Sequence, residues 1–419
     1  MKKQLILLCV FLSLILGACS DHKEELGVDE EMFGKWQGEL EIPGSQLTII
    51  LNLKEEAASL SVPAQGLTEA PFNEVFYTGN KLSLNMNLSG TEIKVVGTYD
   101  DDQIEGTFTQ SGQSFKFILT PYVEEEVTYE RINVPVQGGD LKAALQLPEG
   151  DGPFPVAIII AGSGPTDKDG NTIGGGKNNS LKMVAEELAA KGFASIRYDK
   201  RGIGENQQLA PKEEDLTIDQ LVDDVKKLIG YADAERKFSE IHVIGHSEGS
   251  LIGMLAVQNS KVASYTSIAG PGRPADEILK AQLEGQLTPE LMDKTQSILK
   301  ALKAGKTVDD VPTDLQMLFR KSVQPYLISW LKYDPSAEIG KVDKPVLIIQ
   351  GTHDIQVPVE EAELLKSGKP KADFVLIEGM NHVLKDAPSD VEGNASTYKD
   401  PTLPLASDFM NSIINFIKE

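Results

Sequence analysis

Hydrophobic and polar residues follow two different patterns in the two parts of this chain. From about residue 36 to residue 119 they alternate with a period of two, as in Leu47–Leu53 and Leu82–Met86. Turn signals such as Gly79-Asn80 and Ser111-Gly112 separate these runs. The pattern predicts an antiparallel meander over residues 32–120, with one buried and one wet face. A small sandwich and an open barrel both fit it, and we expect a spacer or accessory role.

After a linker near residues 120–130, predicted strands and helices alternate. The strands are expected at 131–136, 141–147, 156–161, 193–198, 241–246, 265–269, 346–350 and 374–378, and helices at 180–191, after Thr217 and from about residue 405. The first two strands form a predicted hairpin. Alternation of this kind predicts an α/β domain over residues 121–419, with a mostly parallel sheet and helices on both faces.

Residues 273–335 interrupt that alternation, because they contain several helical patterns and no strand pattern. Thr288-Pro289-Glu290 is typical of a helix start, with a capping residue followed by proline. We expect this segment to be a helical lid over the carboxyl edge of the sheet, where open α/β sheets bind their ligands.

The first 19 residues are expected to be a targeting segment. Two lysines precede an apolar run over residues 5–16, which is too short to span a bilayer. The run ends in Leu16-Gly17-Ala18-Cys19, which resembles a bacterial lipoprotein signal. The resemblance implies cleavage before Cys19, a diacylglycerol on its sulfur, a charged tether over residues 20–31, and an extracytoplasmic protein anchored to a bacterial membrane. An ordinary secretory signal remains the alternative.

Composition narrows the possible partners. The formal net charge is −23, which disfavours nucleic acid as a partner and leaves membrane attachment to the lipid. Both cysteines, Cys9 and Cys19, lie in the targeting segment. The remainder of the chain therefore has no disulfide, no thiol nucleophile and no cysteine metal site.

The pentapeptide Gly245-His246-Ser247-Glu248-Gly249 carries the strongest chemical signal. It matches G-x-S-x-G and lies between a predicted strand and a predicted helix, which is the setting of a nucleophile elbow. Ser247 is therefore the candidate nucleophile. We expect the Glu248 side chain to do no more than stabilise the first turn of the following helix.

A nucleophilic serine needs a base, and the base needs an acid that fixes its tautomer. Of the five histidines, only His382 follows a predicted strand near the C-terminus, so it is the candidate base. Asp354, after the strand at 346–350, is the candidate acid, and the adjacent His353 is expected to be a bystander. Glu378 is a weaker alternative to Asp354, and Asp343 precedes its strand.

An oxyanion hole needs two backbone donors. We expect these to be the amides of Glu248 and of Ser163, in the loop after the strand at 156–161. Asp167–Asn171 begins like a calcium loop, but its glycine comes early and Asn178 replaces the bidentate glutamate, so no metal is expected. Asp199–Gly204 is expected to be a structural turn that braces the loops.

These segments resemble the α/β-hydrolase superfamily over roughly residues 131–419. The segments Gly162–Asp167, Asp199–Gly202, Gly245–Gly249 and Gly351–Asp354 are together similar to a bacterial carboxylesterase subgroup that has an N-terminal β-rich extension and a helical lid. The resemblance implies hydrolysis of small-molecule, short acyl esters by Ser247, His382 and Asp354, without a cofactor.

Several alternatives stay open at this point. Trp330 and Tyr333 are candidates to line an acyl pocket, or they form the core of the lid itself. A serine peptidase or acyl-aminopeptidase of the same fold, a long-chain lipase and a glycan-binding lipoprotein are the rival functions. The sequence leaves the oligomeric state and the physiological ester open.

Overall fold

The structure is a computed structural model, and it describes residues 28–42, 45–63, 67–88, 90–124, 127–172 and 176–419. The predicted signal segment, its Cys19 and most of the predicted tether lie outside the described residues. None of the helices within the described ranges has the length and apolar character needed to cross a bilayer.

The predicted antiparallel region forms one sheet whose described strands pair in the order β4-β3-β2-β1-β9-β8-β7-β6-β5. Its strands are β1 (Gly34–Ile42), β2 (Ser45–Lys54), β3 (Ala57–Val62), β4 (Leu67–Pro71), β5 (Glu74–Thr78), β6 (Lys81–Leu88), β7 (Thr91–Asp100), β8 (Gln103–Gln110) and β9 (Gln113–Pro121). Every neighbouring pair is antiparallel. The alternating apolar residues share one face and form an apolar core that includes Leu51, Leu84 and Val95. The predicted antiparallel β region is confirmed.

A second sheet has the strand order β10-β11-β13-β12-β14-β15-β16-β17 among the described residues. Its strands are β10 (Glu130–Val136), β11 (Gly139–Gln146), β12 (Phe154–Ile160), β13 (Ala194–Tyr198), β14 (Phe238–His246), β15 (Ser264–Ile268), β16 (Val346–Gly351) and β17 (Asp373–Ile377). The pairs β10–β11 and β11–β13 are antiparallel, and the others are parallel. The sheet is therefore mixed, and the prediction of a mostly parallel sheet was wrong, because the hairpin pairs with the sheet through its second strand.

Helices fill the connections between the parallel strands. They are α1 (Ser180–Ala190), α2 (Ile218–Ala234), α3 (Glu248–Ala256), α4 (Ala275–Leu283), α5 (Pro289–Lys303), α6 (Gln316–Phe319), α7 (Gln324–Trp330), α8 (Pro335–Gly340), α9 (Val359–Gly368), α10 (Val391–Ser396) and α11 (Phe409–Lys418). Short 3₁₀ turns occur at Glu30–Met32, Gly204–Leu209, Glu213–Asp215, Thr313–Leu315, Lys321–Val323 and Thr397–Lys399. Thr217 caps α2, as predicted, and the cap is a capping box with Gln220.

The second sheet is buried on both faces, which explains its continuous apolar strands. Along β12, Ile158 and Ile160 belong to one apolar core, whereas Ala157 and Ile159 belong to the other. Because consecutive side chains of a strand point to opposite faces, both sets must be apolar.

Residues 273–335 lie between β15 and β16 and contain α4 to α7, with no strand among these described residues. They have an apolar core of their own that includes Leu299, Leu302 and Phe319. Hydrogen bonds tie the two ends of this segment to the helices α9 and α2. The buried Glu361 carboxylate accepts the Gly272 and Arg273 amides at 2.8 and 3.0 Å, and the Ser329 hydroxyl accepts the Ile218 amide at 2.9 Å.

Candidate active site

Ser247 lies at the turn from β14 into α3, in a backbone conformation that is rare for any residue except glycine. Its φ is 55° and its ψ is −120°. Such a conformation costs on the order of 1–3 kcal/mol and persists only where its surroundings enforce it. Here the Ser247 amide donates to the Ile268 carbonyl at 2.9 Å, and the Ser247 carbonyl accepts the Ser250 amide at 2.9 Å. The serine therefore stands on a strained, fixed turn.

The two outer glycines of the elbow have no room for a side chain. A Cβ atom on Gly245 would lie 2.2 Å from the Gly249 carbonyl oxygen, and one on Gly249 would lie 2.4 Å from the Ile160 carbonyl oxygen. Both contacts are with backbone, which cannot move aside. The G-x-S-x-G pattern is therefore a packing requirement of the turn that presents Ser247.

Asp354 and His382, which are distant in sequence, form a direct hydrogen bond. His382 Nδ1 donates to Asp354 Oδ2 over 2.8 Å, which leaves Nε2 as the ring's acceptor. Asp354 Oδ1 accepts the amides of Gln356 and Val357, both at 2.8 Å. Burial alone would raise the pKa of Asp354, but the charge and hydrogen bond of His382, together with these amides, hold that pKa below its ordinary value. Asp354 is thus an ionised carboxylate that fixes the tautomer of the His382 imidazole.

His246 connects the histidine loop to the elbow. Its Nε2 donates to the backbone carbonyl of His382 over 2.8 Å, and the two rings lie 4.8 Å apart. Burial and the nearby His382 lower the pKa of His246 to about 3, so its ring is neutral at ordinary pH. Because Ser247 follows His246 directly, this bond places the base, the acid and the nucleophile at one edge of the sheet.

The hydrogen bond between Ser247 and His382 is absent in this conformation. The Ser247 side chain also makes no capping hydrogen bond to the first turn of α3. Catalytic hydrogen bonds are often long in the free enzyme and shorten when substrate binds. The structure therefore brings two of the three predicted groups into contact and places the third beside them.

The amides of Ser163 and Glu248 are available for an incoming anion. Neither amide donates to another group among the described residues, and Glu248 is the first residue of α3. Gly162 brings the first loop close to the nucleophile, because a Cβ atom there would lie 3.1 Å from the Ser247 Cβ. Free amides at a helix start are suited to stabilise a developing negative charge.

The Glu248 side chain has a larger role than its sequence position predicted. Its carboxylate is buried and accepts hydrogen bonds from Lys200 Nζ, at 3.0 Å, and from the Tyr326 hydroxyl. Lys200 Nζ also donates to the Gly162 carbonyl at 2.5 Å. Lys200, which the sequence placed in a structural turn, thus contacts both loops beside Ser247.

The loop that carries His382 is fixed from inside the protein. The fully buried Asn381 donates to Thr397 Oγ1 at 2.7 Å, and its side-chain oxygen accepts the amides of Val383 and Lys385. The Lys385 ammonium donates to the Leu403 carbonyl, and burial lowers the pKa of Lys385 to about 8. The side chains of Asn381, directly before His382, and of Lys385, three residues after it, therefore anchor this loop.

The predicted bystanders and alternatives occupy other positions. His353 Nδ1 donates to the Ala387 carbonyl at 2.7 Å, so that ring helps to hold the loop after His382. Asp167 Oδ1 accepts the amides of Asp169 and Asn171 at 2.9 and 2.8 Å, which makes its loop a hydrogen-bonded turn. Among the described residues, no group of three or more His, Cys, Asp or Glu side chains is arranged to hold a metal ion.

The two residues predicted to line an acyl pocket lie in or just after α7. The Trp330 ring is 5.9 Å from the Tyr326 ring, whose hydroxyl binds Glu248. The Tyr333 hydroxyl instead donates to Asp219 Oδ1 at 2.5 Å, at the start of α2. Trp330 is thus close to the elbow through Tyr326, whereas Tyr333 anchors the segment to α2.

The chain is similar to several known proteins. A family model described as serine aminopeptidase, S33 matches residues 175–304, which include the elbow. Esterase EstD of Thermotoga maritima is 26% identical over 401 residues, which cover 90% of this chain and 92% of that protein. This chain has the α/β-hydrolase fold.

Two solved structures are also similar to this chain, over about two thirds of its length. Est1E from Butyrivibrio proteoclasticus is 19% identical, with a TM-score of 0.45, and the match covers 69% of this chain and 99% of that one. The α/β hydrolase GrgF from Penicillium sp. sh18 is 16% identical, with a TM-score of 0.47, over 69% and 97% of the two chains.

Sequence reasoning missed four side chains that contact the site: Lys200, Tyr326, His246 and Asn381. His246 and Asn381 adjoin the predicted Ser247 and His382, so their position alone was a signal. Lys200 follows a strand that neighbours β12 in the sheet, which gives a weaker signal. Tyr326 lies 78 residues from its partner Glu248 and carries no local signal.

Proposed function

We propose that this protein is a serine esterase that hydrolyses short acyl esters through an acyl-enzyme intermediate. The observation that carries the proposal is the Asp354–His382 hydrogen bond of 2.8 Å, anchored through His246 to the strained turn that presents Ser247. The relative named esterase EstD, which aligns over 90% of this chain, supports the same reaction.

The mechanism follows from the tautomer of His382. Nε2 accepts the Ser247 proton as Oγ attacks the ester carbonyl, and the oxyanion accepts hydrogen bonds from the Ser163 and Glu248 amides. When the tetrahedral intermediate collapses, the C–O bond to the alcohol breaks and the imidazolium protonates that oxygen. Water then attacks the acyl-enzyme with the same base, which releases the acid and regenerates Ser247.

A serine aminopeptidase is the second candidate, because the matching family model carries that description. An aminopeptidase must bind a substrate ammonium group, for which an unpaired carboxylate is the natural partner. The carboxylate of Glu248, which directly follows the nucleophile in sequence, is already engaged by Lys200 and Tyr326. This argues for esters over peptides with a free N-terminus.

Turnover of p-nitrophenyl acetate and butyrate tests the proposal, with an aminoacyl p-nitroanilide measured in parallel. We expect ester turnover by the wild type and its loss in Ser247→Ala. Ser260→Ala, which removes a hydroxyl that donates to the Val257 carbonyl at 2.8 Å, is the matched control and keeps activity. Equal rates for wild type and Ser247→Ala contradict the proposal, and turnover of the anilide alone favours the peptidase.

Residues 273–335 are proposed to cover the substrate as a lid, with Trp330 against the acyl chain and Tyr333 as an anchor. Esters of increasing chain length test this role. Trp330→Ala is expected to change the preferred chain length while Tyr333→Phe is not. Identical chain-length profiles for Trp330→Ala and the wild type contradict the assignment of the acyl pocket.

The resemblance of the N-terminus to a lipoprotein signal extends the proposal to location. We expect Cys19 to carry a lipid that anchors the enzyme at an extracytoplasmic bacterial membrane surface. Palmitate labelling of wild type and Cys19→Ser in a bacterial host tests this, with the membrane fraction as the readout. Equal labelling and equal membrane association of the two forms contradict it.

A further inference from the structure

A buried ion pair connects the loops that carry the two expected oxyanion donors. Lys200 is 4% exposed and Glu248 is 3% exposed, and their charged atoms lie 3.0 Å apart. They follow β13 and β14, which flank β12 in the sheet, and β12 leads into the loop of Ser163. The pair, together with the Gly162 carbonyl that Lys200 also contacts, therefore joins the carboxyl ends of three neighbouring strands.

The contact between Lys200 and Gly162 acts on a peptide unit that matters for the reaction. The Gly162 carbonyl and the Ser163 N–H belong to the same planar peptide, and in a trans peptide the two groups point in opposite directions. An ammonium 2.5 Å from the carbonyl oxygen fixes the orientation of that plane. It also polarises the peptide, which strengthens the hydrogen bond that the opposite N–H donates.

Glu248 is linked to both expected oxyanion donors. Its backbone amide is the other expected donor, and its carboxylate holds the ammonium that orients the first. The Tyr326 hydroxyl donates to the remaining carboxylate oxygen. Burial, followed by the charge of Glu248, raises the pKa of Tyr326 well above its ordinary value, so the hydroxyl keeps its proton.

Lys200 is itself held in place before any substrate arrives. The neighbouring Asp199 side chain accepts the amides of Lys168 and Glu205 at 2.8 and 3.0 Å, and Asn206 donates to the Asp199 carbonyl at 2.6 Å. The turn after β13 is thus fixed by hydrogen bonds on both of its sides. A preorganised donor costs no reorganisation during the reaction, which is the condition for strong oxyanion stabilisation.

We propose that the side chains of Lys200 and Glu248 are positioning residues that align and polarise the two oxyanion donors, with Tyr326 joining them to residues 273–335. This inference rests on the proposed function for its reaction but not for its substrate, since an oxyanion forms from esters and amides alike. As positioning residues, they act through the two amides and not by contact with the substrate.

Kinetic constants of Lys200→Met, Glu248→Gln and the double variant test the proposal, each normalised to sites labelled by a fluorophosphonate. Losing an oxyanion donor outright costs about 100- to 1,000-fold in kcat, so losing its alignment is expected to cost Lys200→Met about 10- to 100-fold, with little change in KM. Glu248→Gln is expected to lose less, because a carboxamide still accepts from Lys200. The double variant should resemble Lys200→Met alone, since the two residues act as one unit.

The double variant also separates activity from folding. It removes both charges together, so no unpaired charge stays buried, and such replacements are often neutral for stability. Asp224→Asn is the matched control, because Asp224 and Arg201 form another buried ion pair, 2.6 Å apart, and the other bonds of the Arg201 side chain are to the carbonyls of Gln137 and Leu209 rather than to either oxyanion loop. We expect it to lose stability and to keep its kcat per labelled site.

The affinity for an aryl trifluoromethyl ketone is a second measurement, and a merely structural role of Lys200 would leave this affinity unchanged. The ketone forms a tetrahedral adduct with the serine, so its affinity should fall in Lys200→Met by the same factor as kcat/KM. Unchanged kcat per labelled site, unchanged ketone affinity, or an equal loss in Asp224→Asn overturns the inference. If the wild type cleaves only the aminoacyl anilide, the esterase proposal is contradicted, but the variants can still be compared with that substrate. If the fluorophosphonate does not label the wild type, both proposals are overturned.

Discussion

The two sheets of this protein differ most in what they bury. Among the described residues, every buried polar or charged residue lies between Gln146 and Thr397, and the first sheet has none. The first sheet's one ion pair among the described residues, Lys35–Glu69, is about half exposed on both sides, whereas the Lys200–Glu248 pair is almost fully enclosed. A buried charge needs partners that fix its geometry, whereas an apolar core only needs to exclude water. The second sheet therefore has the buried polar groups that chemistry requires, whereas the described part of the first sheet has only an apolar core.

The largest expected effect comes from breaking the Asp354–His382 hydrogen bond at the edge of the second sheet. Asp354→Asn keeps the shape of the side chain but removes the charge that holds the His382 tautomer. A matching substitution in another serine hydrolase lowers kcat by about 10,000-fold, and we expect a loss of that order. Steady-state ester turnover measures it, and a loss below about 10-fold would show that Asp354 is not the acid.

Large-to-small core substitutions test whether activity belongs to the second sheet alone. Leu51→Ala in β2 and Ile349→Ala in β16 both remove fully buried aliphatic groups, and each is expected to cost about 2–5 kcal/mol of unfolding free energy. Only Ile349→Ala should lower kcat per labelled serine, because β16 leads into the Asp354 loop. Urea unfolding and active-site titration measure the two effects.

The outcome for Leu51→Ala decides what the first sheet does. A kcat per labelled site that falls as far as that of Ile349→Ala would contradict the division of roles between the two sheets. Unchanged kcat with reduced stability agrees with an accessory first sheet.

The smallest expected effect is a pH dependence of stability that arises from His246. The pKa of this group is about 3 in the folded protein and about 6.5 in the unfolded chain, so the unfolded chain takes up the proton first as the pH falls. The free energy of unfolding should therefore decrease as the pH falls below about 6.5. His246→Asn should lower this slope between pH 7 and pH 5 in urea titrations.

His242 also contributes to the decrease of the unfolding free energy at low pH. Burial also lowers the pKa of His242, so the variant keeps a weaker dependence of the same sign. Parallel curves for His246→Asn and the wild type would contradict the neutral, hydrogen-bonded state of His246.

Much of this molecule follows from local sequence patterns. The alternation over β2 and β6 and the continuous apolar run of β12 each report which faces are buried, and so they predict the strands. Ser247, Asp354 and His382 could be proposed together from the sequence because each follows a strand of the same sheet, and carboxyl ends of parallel strands meet at one edge.

The remainder depends on contacts between distant parts of the chain. Glu248 meets Lys200 across 48 positions and Tyr326 across 78, and no local pattern specifies such partners. The mixed pairing of the second sheet has the same origin, because β11 pairs with β13 rather than with its sequence neighbour β12. Pairing is decided by tertiary packing, which a period of two along one strand does not encode.

Reaction with a fluorophosphonate, followed by peptide mass analysis, tests the central claim most directly. Ser247 Oγ should displace fluoride from phosphorus, so the wild type is labelled on Ser247, Ser247→Ala is unlabelled, and His382→Ala is labelled far more slowly. Labelling of a different residue, or equal labelling rates for His382→Ala and the wild type, would contradict the account.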